Sequence, residues 1–76
     1  NSPSKVKMYY TERCPHSVRA LKTIESEGLG EHVELVDCAK NSEVCKGISG
    51  VPTFEKDGKK YPGYKSGDEL RALLNK

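Results

Sequence analysis

Cys14, Pro15, His16 and Ser17 form the stretch whose residue types and spacing can do chemistry. An apolar run, Val6–Tyr10, reads as a strand, and a polar turn of Thr11, Glu12 and Arg13 follows it. A helical pattern then starts at Pro15. Cys14 therefore occupies the N-cap position. Proline stands at the first helical position, where its missing N–H costs nothing and its fixed φ suits the helix. A sulfur at that place faces unpaired backbone N–H groups and the positive end of the helix dipole. Both favour thiolate over thiol, and such sites carry pKa values of roughly 3.5–7.5. Arg13 and His16 add positive potential. The chemistry this points to is nucleophilic attack by a Cys14 thiolate. The plain alternative for the same residue is a buried, inert cysteine that only packs.

Ser17 occupies the place where a second cysteine would complete Cys-x-x-Cys, a redox signature when it lies near a strand–helix–strand unit. A serine cannot resolve a mixed disulfide. The motif therefore supports one-thiol chemistry, or it is a cysteine-to-serine exchange that traps an intermediate. An ordinary first-turn helix serine fits either case.

The elements that must position this stretch follow from pattern. Seventy-six residues make one domain, short enough to bury only about 60% of its unfolded surface. Residues 1–4 read as a disordered tail and residues 5–76 as the domain. The chain opens on Asn1 rather than Met, which fits a trimmed, processed or excised chain. In the first strand, residues 5–11, Val6, Met8 and Tyr10 share one face and Lys7 and Tyr9 the other. The first helix spans residues 15 to about 27, with Val18, Leu21 and Ile24 as its apolar stripe and Ala20 alongside. Gly28 and Gly30 end it. Residues 31–37 form a second strand, parallel to the first by the right-handed crossover rule. Asn41 or Ser42 caps a short second helix, residues 43–46, with Val44 and Ile48 as its apolar contacts. Pro52 stands immediately before the third strand, Thr53 to Lys56, where a proline fits because it donates nothing to a ladder. The Val51–Pro52 bond is a candidate cis peptide. Asp57-Gly58 signals a type I′ hairpin, and the chain returns antiparallel over residues 59–62. Asp68 or Ser66 caps a last helix, residues 69 to about 75, with Leu70, Leu73 and Leu74 inside. The element order is β-α-β-α-β-β-α, an α/β fold with a four-stranded mixed sheet and helices on both faces.

Composition narrows the function. Net charge is +2, too weak a balance to argue for nucleic acid, and Lys59-Lys60 reads as a solvated hairpin face. No apolar run approaches the roughly 20 residues of a membrane span. Three cysteines are too few for a disulfide scaffold. The odd count suggests one functional thiol plus a pair, Cys38 and Cys45. A bridge between those two requires Cα atoms about 4.4–6.8 Å apart; inert packing is the alternative. His16 and His32 stand alone, no Cys/His set has zinc-ligand spacing, and His32 reads as a surface residue.

Cys14-Pro15-His16-Ser17 after a first strand, with Gly50-Val51-Pro52-Thr53 before a third, resembles the thioredoxin superfamily, and its glutaredoxin branch most. Gly63-Tyr64-Lys65-Ser66-Gly67-Asp68-Glu69-Leu70 is similar to the glycine-turn-acidic-helix ending of glutaredoxins, so the likeness covers nearly the whole chain. Three features depart from it. Dithiol members have cysteine at the place of Ser17. Cluster-assembling monothiol members have Gly-Phe where Pro15-His16 stand. Val36-Asp37-Cys38 with Cys45 resembles the thioredoxin-like domains of protein disulfide isomerases, and Pro15-His16 resembles the periplasmic disulfide oxidases of bacteria.

The resemblance implies a glutaredoxin-like disulfide oxidoreductase with Cys14 as nucleophile and Ser17 at the resolving position. It implies activation by Arg13, Pro15 and His16. A bound peptide or glutathione would pair with the backbone at Val51, next to Pro52, by strand addition. Tyr10 and Tyr64 would wall the groove, and Arg13 with the Gly67 and Asp68 amides would hold a glutathione carboxylate. Edge packing is the alternative for each tyrosine. The expectation is a monomer with no tightly bound cofactor, using glutathione as co-substrate and disulfide-containing proteins or peptides as partners, with neither nucleic acid nor membrane. A cytoplasmic site is expected, with the secretory pathway or another oxidising compartment as alternative. Two other readings accompany the enzyme: a non-catalytic thioredoxin-like peptide-binding or chaperone module, and a glutathione-dependent iron–sulfur scaffold.

Overall fold

The alternation of apolar residues in the first strand sets the architecture. In the computed structural model, which describes residues 6–76, β1 (Val6–Tyr10) is a central strand. The expectations for residues 1–4 and for a strand start at residue 5 lie outside the described residues. Helix α1 (Pro15–Ser26) follows, and a 3-10 turn (Gly30–His32) then leads into β2 (Val33–Asp37). The second strand is thus two residues shorter than the sequence suggests, because Glu31 and His32 are used in that turn. Strands β3 (Thr53–Lys56) and β4 (Lys59–Pro62) form a hairpin, and α2 (Gly67–Leu74) closes the chain. The strand order is β2-β1-β3-β4, with β1 parallel to β2 and antiparallel to β3. Asp57 and Gly58 both have positive φ, 53° and 82°, the backbone a type I′ turn requires.

Val6 is paired with Val33, and Met8 with Phe54. These four form one buried core with Ala20 and Ile24 of α1, Leu29, and Leu70 and Leu73 of α2. Both helices therefore pack on the same face of the sheet. On the other face Tyr9 is buried and its hydroxyl donates to Glu55, which Lys60 approaches at 3.9 Å.

The short helix expected at residues 43–46 is absent, and with it the helix on the second face. The N–H groups of Val44, Cys45, Lys46 and Ile48 donate to carbonyls three residues back, which makes successive turns rather than an α-helix. A short helix is stabilised chiefly by burying an apolar face. Val44 is 58% exposed and offers none.

Of the two cap candidates for the last helix, Ser66 is the one used and Asp68 is not, so α2 begins at Gly67, two residues before the expected start at 69. Ser66 accepts from the Glu69 N–H at 3.3 Å while the Glu69 carboxylate accepts from the Ser66 N–H at 2.8 Å, a capping box. These hydrogen bonds hold the Glu69 carboxyl below its ordinary pKa. The far end of α2 is closed by Lys56. Its buried ammonium donates to the backbone oxygens of Leu73, Leu74 and Lys76 at 2.9, 2.8 and 3.0 Å.

Candidate active site at the Cys14 helix start

Parallel pairing of β1 with β2 brings Tyr10 and Asp37 to one edge of the sheet. Strand β3 enters in the opposite sense, with Thr53 across from Tyr9, so Val51 and Pro52 come to the same edge. Cys14 sits there as the N-cap of α1, in extended conformation, with Pro15 at the first helical position. It is a half-buried free thiol. Its Sγ donates to Val51 O at 3.5 Å, and the Val51–Pro52 peptide bond is cis.

The thiol proton goes to Val51, so the side chain makes no cap hydrogen bond as a thiol. The amides of the helix start act on the sulfur as an acceptor. The Ser17 N–H, first in effect, holds the Cys14 pKa below that of an ordinary thiol. Desolvation opposes it, and the His16 N–H and the Ser17 hydroxyl add to the lowering. The physical origin is the one argued from sequence: orphan N–H groups at a helix N-terminus stabilise a negative charge.

Ser17 is fully buried, and the Thr11 N–H approaches its hydroxyl at 3.5 Å. Arg13, Pro15 and His16 are exposed beside the thiol. The Val51–Pro52 segment is braced on both sides. The Thr53 hydroxyl donates to Gly50 O at 2.6 Å, and the Gly63 N–H donates to Pro52 O at 2.8 Å. Sequence reasoning assigned Thr53 only to the strand start. Its hydroxyl three residues after Gly50 is the signal that could have marked it as a turn brace.

Tyr10 is half-buried at the edge, its hydroxyl pKa raised by burial first and then by Asp37 and Glu12. Its carbonyl accepts from the Cys38 N–H at 2.8 Å. Cys38 and Cys45 are joined in a disulfide, with Cα atoms 5.7 Å apart.

Two of the expected groove residues, Gly67 and Asp68, are placed elsewhere, and Tyr64 extends along α1 from beside Pro52, to which the preceding Gly63 is bonded. The Tyr64 hydroxyl pairs with Thr23 at 2.7 Å and its ring stacks under the Arg19 guanidinium at 4.5 Å. Thr23 is nine residues into the helix from Cys14, about 13 Å along its axis. Gly67 is buried against Glu27, where an added Cβ would meet that side chain at 2.7 Å. Glu27 caps the C-terminal end of the 12-residue α1, about 20 Å from Cys14 along the axis. Asp68 is next to Gly67 and bonds Arg71 at 3.0 Å. The structure thus brings together Cys14, Pro15, Ser17, Val51 and Pro52, with Tyr10, Arg13 and His16 nearby, and sets Tyr64, Gly67 and Asp68 along and beyond the helix.

A scan against protein-family models gives no match, and neither does a comparison with curated protein sequences. Solved structures do match. A structure described as that of a malarial protein superimposes with a TM-score of 0.79 at 16% identity, covering 97% of this chain and 96% of the other. Chloroplastic thioredoxin z gives 0.77 at 14% identity, over 96% of this chain and 76% of its own. Thioredoxin-2, a component of the malaria parasite's protein secretion machinery, gives 0.72 at 18% identity, over 99% and 85%. At such identities the likeness establishes the fold, and the chain has the thioredoxin fold.

Proposed function

We propose that the protein is a thiol–disulfide oxidoreductase working through one thiol, Cys14. The observation that carries the reading is the half-buried Cys14 sulfur at a helix start, its pKa lowered, 3.5 Å from the Val51 carbonyl of the neighbouring edge segment.

The Cys14 thiolate attacks one sulfur of a substrate disulfide, the S–S bond breaks, and the electron pair leaves with the other sulfur as thiolate. A mixed disulfide between Cys14 and the substrate remains. Ser17 offers no second sulfur, so a thiol from solution attacks the substrate sulfur and returns Cys14 as thiolate. Because the lowered pKa makes Cys14 a good leaving group, this second step is favoured. The substrate lies along Val51 as an added strand. Glutathione, as in glutaredoxins, is the releasing thiol in this reading. Arg13 remains as the candidate partner for its carboxylate, since Gly67 and Asp68 stand at the far end of α1. A glutathione-rich cytoplasm would serve release, whereas the Cys38–Cys45 bond suits an oxidising compartment.

The test is the rate of Cys14 alkylation by iodoacetamide against pH, with glutathione-coupled turnover of a glutathionylated peptide. The expected alkylation midpoint lies below the ordinary thiol value of about 8.5, and Cys14→Ser abolishes turnover. An ordinary midpoint, or a reactive thiol without turnover, would overturn the enzymatic reading, the latter in favour of a peptide-binding module.

A further inference from the structure

The connection from β2 to β3 carries a second sulfur centre at the edge of the sheet that holds Cys14. Cys38 follows β2 directly and is pinned by its N–H to Tyr10 O at 2.8 Å. From there the chain crosses that edge to Val51, whose carbonyl accepts from Cys14. Little else holds the connection. Residues 39–44, 46, 47, 49 and 50 are exposed, and none of residues 38–50 belongs to the buried core. Beyond the Asp37 turn its backbone hydrogen bonds close single turns only, and its far end is held at Gly50 O by the Thr53 hydroxyl. The Cys38–Cys45 bond is the covalent tie within it, and both cysteines are half-buried, within reach of a small thiol. Disulfides that a thiol in solution can reach are more labile than those sealed in a core.

We propose that Cys38–Cys45 is a second thiol-exchange site, opened by a small thiol of the glutathione class, and that its opening slackens the Val51 wall, loosens the hydrogen bond that holds the Cys14 thiol proton, and raises the reactivity of Cys14. The glutathione thiolate attacks Cys45 Sγ, the Cys38–Cys45 bond breaks, and Cys38 leaves as thiolate. A second glutathione thiolate attacks the mixed disulfide, releasing Cys45 as thiolate and glutathione disulfide. Two glutathione thiols are oxidised and one protein disulfide is reduced. The exchange itself stands apart from the proposed enzymatic activity, while the effect on Cys14 rests on it.

Two measurements test this separately. In the Cys14→Ser protein, equilibration over a series of reduced-to-oxidised glutathione ratios, followed by alkylation and mass spectrometry, should show two thiols appearing together and a glutathione adduct at intermediate ratios. A bond that survives reduced glutathione alone overturns the exchange site. In the unsubstituted protein, Cys14 labelling is read by peptide mass spectrometry with the bond closed and with it opened by glutathione. Opening should speed Cys14 alkylation several-fold at a fixed pH below its midpoint, and slower alkylation overturns the coupling just as equal rates do. Equal rates in the two states, with a lowered midpoint in both, overturn the coupling while leaving the proposed function intact. An ordinary midpoint in both states defeats the proposed function and the coupling, and leaves the exchange result to stand alone.

Discussion

Tyr9 and Tyr10 are neighbours in β1 but meet different surroundings. Tyr9 lies on the face without helices, where its hydroxyl donates to Glu55 and its pKa is pushed up to about 12, by that hydrogen bond first, then burial, then the charges of Glu55 and Glu34. A phenol whose folded pKa exceeds its unfolded value of about 10 stabilises the fold fully below pH 10 and loses that contribution as pH rises through about 12. An absorbance titration at 295 nm should therefore show a late tyrosine phase near pH 12 that disappears in Tyr9→Phe. Complete ionisation of all tyrosines near pH 10 in the folded protein would contradict this. Cys14 has the opposite sign. Its folded pKa is depressed, so its ionisation stabilises the fold above the ordinary thiol range and stops doing so as pH falls through the folded value. Accordingly, the stability of Cys14→Ser relative to the parent should fall as pH rises through that value, as read from urea midpoints in a series of buffers.

At the level of elements, the sequence was most informative where a local rule acts alone. Asp57-Gly58 needs positive φ, and Pro15 after a would-be cap starts a helix; both are found. It was least informative where burial decides. A helix at residues 43–46 fits propensity, yet Val44 faces solvent, so nothing stabilises it. Lys56 reads as a strand-end lysine. Alternation with Phe54 nevertheless places it on the core face, where the α2 C-terminus supplies its acceptors. Distant packing also put Gly67 and Asp68 beside Glu27, which no spacing within their own segment reveals. Two stability predictions belong to this scale. Lys56→Met removes charge-assisted hydrogen bonds to orphan carbonyls and should cost about 2 kcal/mol, measured by urea unfolding. The Cys38–Cys45 bond joins residues seven apart; by loop entropy it contributes about 2.5 kcal/mol, so the doubly substituted Cys38→Ser, Cys45→Ser protein should lose that much under non-reducing conditions.

The whole molecule depends on one side of one sheet. Its Cα radius of gyration is 11.4 Å, what a folded chain of this length has, and among the described residues the core comprises nine buried side chains. A domain of this size is stable by about 4–11 kcal/mol in total. Phe54 is fully buried at the centre of that core, and Phe→Ala in a core costs about 3–5 kcal/mol. Phe54→Ala should therefore remove a large share of that stability, so that mild urea unfolds the variant while the parent stays folded. Val44→Ala, on the exposed connection, should change stability by less than about 0.5 kcal/mol. The same pair tests what holds the Cys14 thiolate. A 12-residue helix such as α1 is marginal without tertiary packing, so losing the core should also lose the ordered amides at its start. Far-ultraviolet circular dichroism and the Cys14 alkylation profile, measured together in that mild urea, should move in step: in Phe54→Ala the helical signal falls and the alkylation midpoint climbs toward about 8.5, while Val44→Ala leaves both in place. If the midpoint stayed low after the helical signal was gone, the charge of Arg13 would be sufficient, and the folded helix start would not be what activates the sulfur.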